Sequence, residues 1–136
     1  MSTSKIVDYA RWLTAVQVFR IVGALFLVEY QRGNLPVAFA IPAGVGDVLV
    51  GITAPVVALS LRRTGALGWA LALTWNALGL VDLVYGVSLG LLVGATYVQT
   101  SYLVIIPVVF VPLAVILHLI TIVQLSRGLR QRFQTV

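Results

Sequence analysis

Residues 40–59 read AIPAGVGDVLVGITAPVVAL, a run of apolar and small residues holding one carboxylate, Asp47. A membrane span needs about 20 predominantly apolar residues, and this run, extended to Val37–Leu61, is long enough. Three further stretches qualify: Trp12–Tyr30, Ala66–Gly94 and Tyr102–Leu125. The expected fold is therefore an all-α integral membrane protein, a four-transmembrane-helix bundle. It forms a single domain over residues 1–136, with helices at about 12–30, 38–61, 66–88 and 102–126.

Composition agrees. The 136 residues are 60% hydrophobic and 10% charged, with a mean hydropathy of +1.06; a soluble domain carries roughly a quarter charged residues. There is no cysteine, so disulfides, thiolate metal sites and cysteine nucleophiles are excluded. One histidine and four acids leave little for a multi-ligand metal centre. Ala38-Phe39-Ala40 has the small-x-small form of a signal cleavage site, but it lies too far past the apolar Ile21–Val28 run, so the first span is expected to remain as an anchor.

Charge placement sets the expected orientation. With the N-terminus inside, Lys5, Arg11, Arg62, Arg63, Arg127, Arg130 and Arg132 fall on the inner side, Arg32 falls outside and Arg20 lies within the membrane. That asymmetry places both termini in the cytoplasm of a cell whose plasma (inner) membrane the chain crosses. The net charge of +5 thus reads as topology, and no nucleic-acid partner is expected. Tyr9, Trp12 and Trp69 fall at the inner interface, and Tyr30, Tyr97 and Tyr102 at the outer one, as an aromatic belt. Residues near Gly90–Tyr97 are expected to bend into an interfacial segment, and Pro107 with Pro112 to kink or break the fourth helix.

Thirty-five residues after Asp47 the pattern Gly-x-x-Asp-x-x-x-Gly recurs around Asp82. An inverted repeat of the transporter kind would pair helix one with three and two with four. These copies lie on adjacent middle helices, so they read as two helices solving one packing problem. At 100° per residue, Ala40, Gly44, Asp47, Gly51, Ala54 and Ala58 share one arc. Gly68, Ala72, Asn76, Gly79, Asp82, Gly86 and Gly90 share another. Stripes of small residues let membrane helices approach closely, which puts both acids on packing faces at similar depth. On helix one, Leu13, Gln17, Arg20, Ala24 and Leu27 share a face, turning Arg20 toward the bundle.

An ionised group at mid-bilayer costs at least about 2.5–3.5 kcal/mol, so intramembrane charges pair or line a wet cavity. Arg20, Asp47 and Asp82 together carry a formal charge of −1, and arginine does not discharge. The imbalance falls on the acids or on a guest: one Asp holds a proton, or a cation occupies the site. Asn76, Gln17 and Tyr85 are candidate helpers. Against this stands the reading of Arg20 as structural glue between two acids.

Glu29, three residues from Arg32, reads as half of a surface pair. His118 reads as a hydrogen-bonded packing residue; haem ligation would need a second ligand or an open position. No nucleophile triad, His-x-x-x-His or phosphate-cradling Gly-Lys loop is present, and the soluble segments are short, so enzymatic function is the less supported class. The leading expectation is proton- or cation-linked transport or binding of a small solute at Arg20, Asp47 and Asp82. Its partners would be the lipid bilayer and a second copy or another membrane subunit. One alternative is a non-catalytic subunit or assembly factor of a larger membrane complex. Another is a redox protein associated with haem or quinone, using His118, Trp75 and Tyr85; no cofactor is required by the leading reading.

Overall fold

A computed structural model describes residues 3–63, 65–93 and 95–134. The first helical stretch is built of α1 (Thr3–Val16), a 3-10 segment (Gln17–Gly23) and α2 (Ala24–Gln31). It is followed by α3 (Val37–Arg63), α4 (Gly65–Leu92) and a short α5 (Thr96–Thr100). The last stretch combines a 3-10 turn (Tyr102–Val104), a π-helical turn (Ile106–Phe110) and α6 (Val111–Gln134). Four stretches, Ser4–Gln31, Val37–Arg62, Gly65–Leu92 and Tyr102–Arg130, are long and apolar enough to cross a membrane, and the described residues contain no strand.

The helices start and stop for local reasons. After α2, Gly33 takes a left-handed conformation at φ 79°, which suits a residue without a Cβ at a helix C-terminus. Leu35 then plugs that end, 4% exposed. Gly65 repeats the device at φ 55°, letting α3 turn directly into α4. α3 continues through Pro42 and Pro55. Pro107 and Pro112 behave differently: around them the last stretch opens into the π-helical turn, because a proline supplies no backbone N–H to the ladder.

The buried interior is two apolar clusters separated by a polar layer. At one end Ile6, Ala10, Val57, Leu61, Trp69, Ala72 and Leu125 pack together. At the other end the cluster comprises Phe26, Leu35, Phe39, Ala40, Ala43, Ala95, Val98, Leu103 and Ile106. Between them lie Gln17, Arg20, Asp47, Asn76 and His118, all buried. The outer faces are greasy instead: Val56, Leu78, Val81 and Leu67 are 62–70% exposed. Burying oily groups inside while exposing as many outside is the distribution expected where lipid replaces water.

Four expectations change, one being the last helical stretch, expected to end near residue 126, which runs to Gln134. The first helical stretch begins at Thr3, well before residue 12, and the third runs to Leu92, past residue 88. Trp69, expected at the inner interface, is buried inside the bundle: it is 1% exposed and lies against Gly128, where a Cβ would stand 2.3 Å from its ring. The bend beyond Gly90 takes the form of α5.

Candidate functional site

The polar layer is assembled by helix geometry before any chemistry is considered. In the 3-10 segment residues three apart eclipse one another, so Gln17, Arg20 and Gly23 fall on one line, and all three are buried. At the regular helical period Ala24 would follow Arg20 on that face; the tighter winding brings Gly23 there instead. This glycine is required by what it faces. A Cβ on Gly23 would stand 2.3 Å from Asp47 Cβ, and one on Gly46 would stand 1.9 Å from Asp82 Oδ1. A Cβ on Gly79 would stand 2.4 Å from the His118 ring. Three glycines on three elements thus make room for three polar side chains of neighbouring helices.

Into this layer Arg20 projects its guanidinium, 2% exposed. Its Nε donates to Asp47 Oδ1 at 2.7 Å, and Nη2 lies 2.5 Å from the same oxygen. Nη2 also donates to Asp82 Oδ2. The remaining nitrogen, Nη1, donates to the Gly79 carbonyl at 3.3 Å and to His118 Nε2 at 3.4 Å. A guanidinium has five N–H groups and no acceptor, and here five acceptor contacts surround it. Each carboxylate keeps one oxygen, Asp47 Oδ2 and Asp82 Oδ1, that receives no hydrogen bond among the described residues.

The arginine also fixes a tautomer. Since Nη1 can only donate, His118 Nε2 must accept, so the ring hydrogen sits on Nδ1. That nitrogen lies 2.8 Å from Asn76 Oδ1, and Asn76 Nδ2 donates to the Ala72 carbonyl at 2.8 Å. The chain Arg20, His118, Asn76, Ala72 is directionally consistent at every link. Trp75 flanks the ring, centroids 5.5 Å apart, and donates to Thr53 Oγ1 at 2.9 Å. Both imidazole nitrogens are engaged, Nε2 by Arg20 and Nδ1 by Asn76.

The other candidates are placed as follows. Asn76 touches the centre through His118 and not through either acid. Gln17 donates to the Ala114 carbonyl at 3.4 Å, while its Oε1 is buried without a partner among the described residues. Tyr85 is 54% exposed and stands outside the centre. Glu29 does pair with Arg32 at 2.7 Å, yet it is 1% exposed, so it is more than half of a surface pair. It also accepts from Asn34 at 2.6 Å and from Tyr102 at 2.8 Å. Asn34 reaches Tyr97 at 3.3 Å. The phenol of Tyr97 is held above its ordinary range, mainly because its hydroxyl donates to Glu29.

The charge centre opens into a cavity of about 270 Å³, just below the roughly 300–1,000 Å³ typical of ligand sites. Asp47, Asp82 and Arg20 are its charged lining, Gln99 is its other polar side chain, and the rest is apolar. Gly86 and Gly90 on α4 and the π-helical turn across from them leave this space. The sequence carries no pattern that announces it. Its existence depends on the winding after Pro107, and so does the depth at which His118 meets Arg20.

Among the described residues no group of three or more His, Cys, Asp or Glu is placed to hold a metal ion. Neither the curated proteins nor the solved structures give a match. Residues 1–126 match a family model described as "Domain of unknown function (DUF8737)", and the chain belongs to that family.

Proposed function

We propose that this chain is a four-span integral membrane protein with both termini cytoplasmic. In this reading its Arg20–Asp47–Asp82 centre binds a proton or small cation in step with a small solute, for transport or for binding alone. The plasma (inner) membrane is its location, and the bilayer and a second copy or another membrane subunit are its partners. One observation carries the reading: two carboxylates share one guanidinium, and the surplus negative charge borders a cavity. Such a charge inside a bilayer needs a counter-charge or a proton. A purely structural bridge would need neither the second acid nor the adjoining space.

The test is proton or cation uptake by the purified protein reconstituted in vesicles. Asp47→Asn and Asp82→Asn are each expected to abolish uptake while helix content is retained. Uptake unchanged in both variants would rule the reading out. Unfolding of both would be resolved with Arg20→Gln/Asp47→Asn/Asp82→Asn, which removes every charge of the centre together. That protein is expected to be folded and inactive; if it is folded and active, the centre is not the site.

A further inference from the structure

The cavity and the charge centre are one continuous space of two characters, and their chemistry together specifies an occupant. The walls are apolar, with Phe26, Phe39, Val98, Ile106 and Val111 among them. At the floor Arg20 has no donor left to offer: each of its nitrogens is committed to Asp47, Asp82, Gly79 or His118. What remains without a hydrogen bond is one oxygen on each aspartate, Asp47 Oδ2 beside Gly23 and Asp82 Oδ1 beside Gly46, while both aspartates line the cavity and carry its surplus negative charge. An anionic or purely accepting head group would therefore meet two carboxylates and no free donor. A head group that is positive and donates hydrogen bonds meets complementary charge and geometry.

The mouth is equally specific. The rim residues Leu91 and Val108 are 71% and 65% exposed, and both line the cavity. They lie on α4 and on the π-helical turn, at a height where the exposed surface is apolar. The end nearest the loops is narrowed. Leu35, Ala95 and Val98 are buried there, and Glu29 ties Arg32 and Asn34 of one connection to Tyr102 of the other. Access past Leu91 and Val108 is thus from the side, out of the hydrocarbon, and the exposed Gln99 of α5 is the polar residue at the loop-side margin.

We propose that the cavity binds a single-chain amphiphile with a protonated amine head, its tail among the apolar walls and its ammonium between Asp47 and Asp82, entering laterally past Leu91 and Val108. This deepens the reading given above and rests on it: the amine supplies the cation that the centre lacks.

The experiment compares octylamine, octanol and octanoate at matched concentration and neutral pH, reading the thermal unfolding midpoint of the purified protein. Octylamine is expected to raise the midpoint by several degrees, and the other two to leave it unchanged. Gly86→Leu, which fills the space, should weaken the apparent octylamine affinity by at least about tenfold, a loss of about 1.4 kcal/mol. Should that variant fail to fold, Val108→Trp, at an exposed rim position, blocks the mouth and is expected to give the same loss. Equal stabilisation by octanol would show a site for lipid tails in which charge plays no part, and would overturn the proposal. So would an octylamine effect that survives both Gly86→Leu and Val108→Trp, which would be partition into the bulk amphiphile phase. Proton or cation uptake that persists without any octylamine preference would sink this inference alone and leave the charge-centre reading standing.

Discussion

Gly46 lies so close to Asp82 that a methyl group on it would stand 1.9 Å from Asp82 Oδ1. The carboxylate reaches Arg20 across a helix that has no side chain at the crossing point. Gly23 does the same for Asp47. Gly46→Ala and Gly23→Ala are accordingly expected to destabilise the protein by about 1–3 kcal/mol each, as overpacking does. Gly86→Ala is the control: its Cβ would meet Ala43 at an ordinary 3.6 Å, so the change should be neutral or stabilising by up to about 1 kcal/mol. Unfolding of the detergent-solubilised variants checks all three.

Removing one partner of a buried ion pair leaves an uncompensated charge and costs about 3–5 kcal/mol, whereas neutralising all partners together leaves no unpaired charge. Arg20→Gln is therefore expected to be far less stable than Arg20→Gln/Asp47→Asn/Asp82→Asn. The comparison of unfolding midpoints separates stability from function, because the triple variant should fold while binding nothing at the centre.

The hydrogen of His118 is expected on Nδ1 at neutral pH, since Arg20 occupies Nε2 as a donor and Asn76 Oδ1 accepts from Nδ1. Nitrogen-15 NMR of the labelled ring distinguishes the two tautomers directly. In Asn76→Ala the Nδ1 partner is gone, and the tautomer should become mixed or the ring reorient; an unchanged spectrum would mean that Arg20 alone sets it.

Glu29 joins the 32–34 connection to the segment ending at Tyr102. Glu29→Ala is expected to raise amide hydrogen exchange in both connections together and to leave the Trp69 end unaffected. Tyr97 adds a pH signature. Its hydroxyl donates to Glu29, which raises the pKa of the phenol. The contribution is complete below the unfolded value of about 10 and is lost as pH rises through the higher folded value. Tyr97→Phe should remove that part of the alkaline loss of stability, as seen in unfolding midpoints above about pH 10.

How far the sequence spoke depended on whether regular helix geometry held. Four apolar stretches and their connections could be counted from hydropathy. On α3 and α4 the face at 100° per residue placed Asp47, Gly51, Asn76 and Gly79 in the interior, where they lie. On the first stretch the count slipped, because the 3-10 winding at 17–23 puts Gly23, not Ala24, in line with Arg20. On the last stretch the π-helical turn resets both depth and face, so His118 could not be tied to Arg20 by counting. Glu29 looked like a surface residue because its other partners, Asn34 and Tyr102, come from turns whose return path no periodicity specifies. Glycines read as a packing stripe were in part the clearance for polar groups on the facing helix.

The most direct measurement is infrared difference spectroscopy of the carboxyl stretch at neutral pH, with Asp47→Asn and Asp82→Asn to assign the bands. The expected result is either one protonated carboxyl, lost in one of the two variants, or two carboxylates whose bands shift when a small cation is supplied or withdrawn. Two ionised carboxylates indifferent to both pH and cations, in a folded protein, would contradict it.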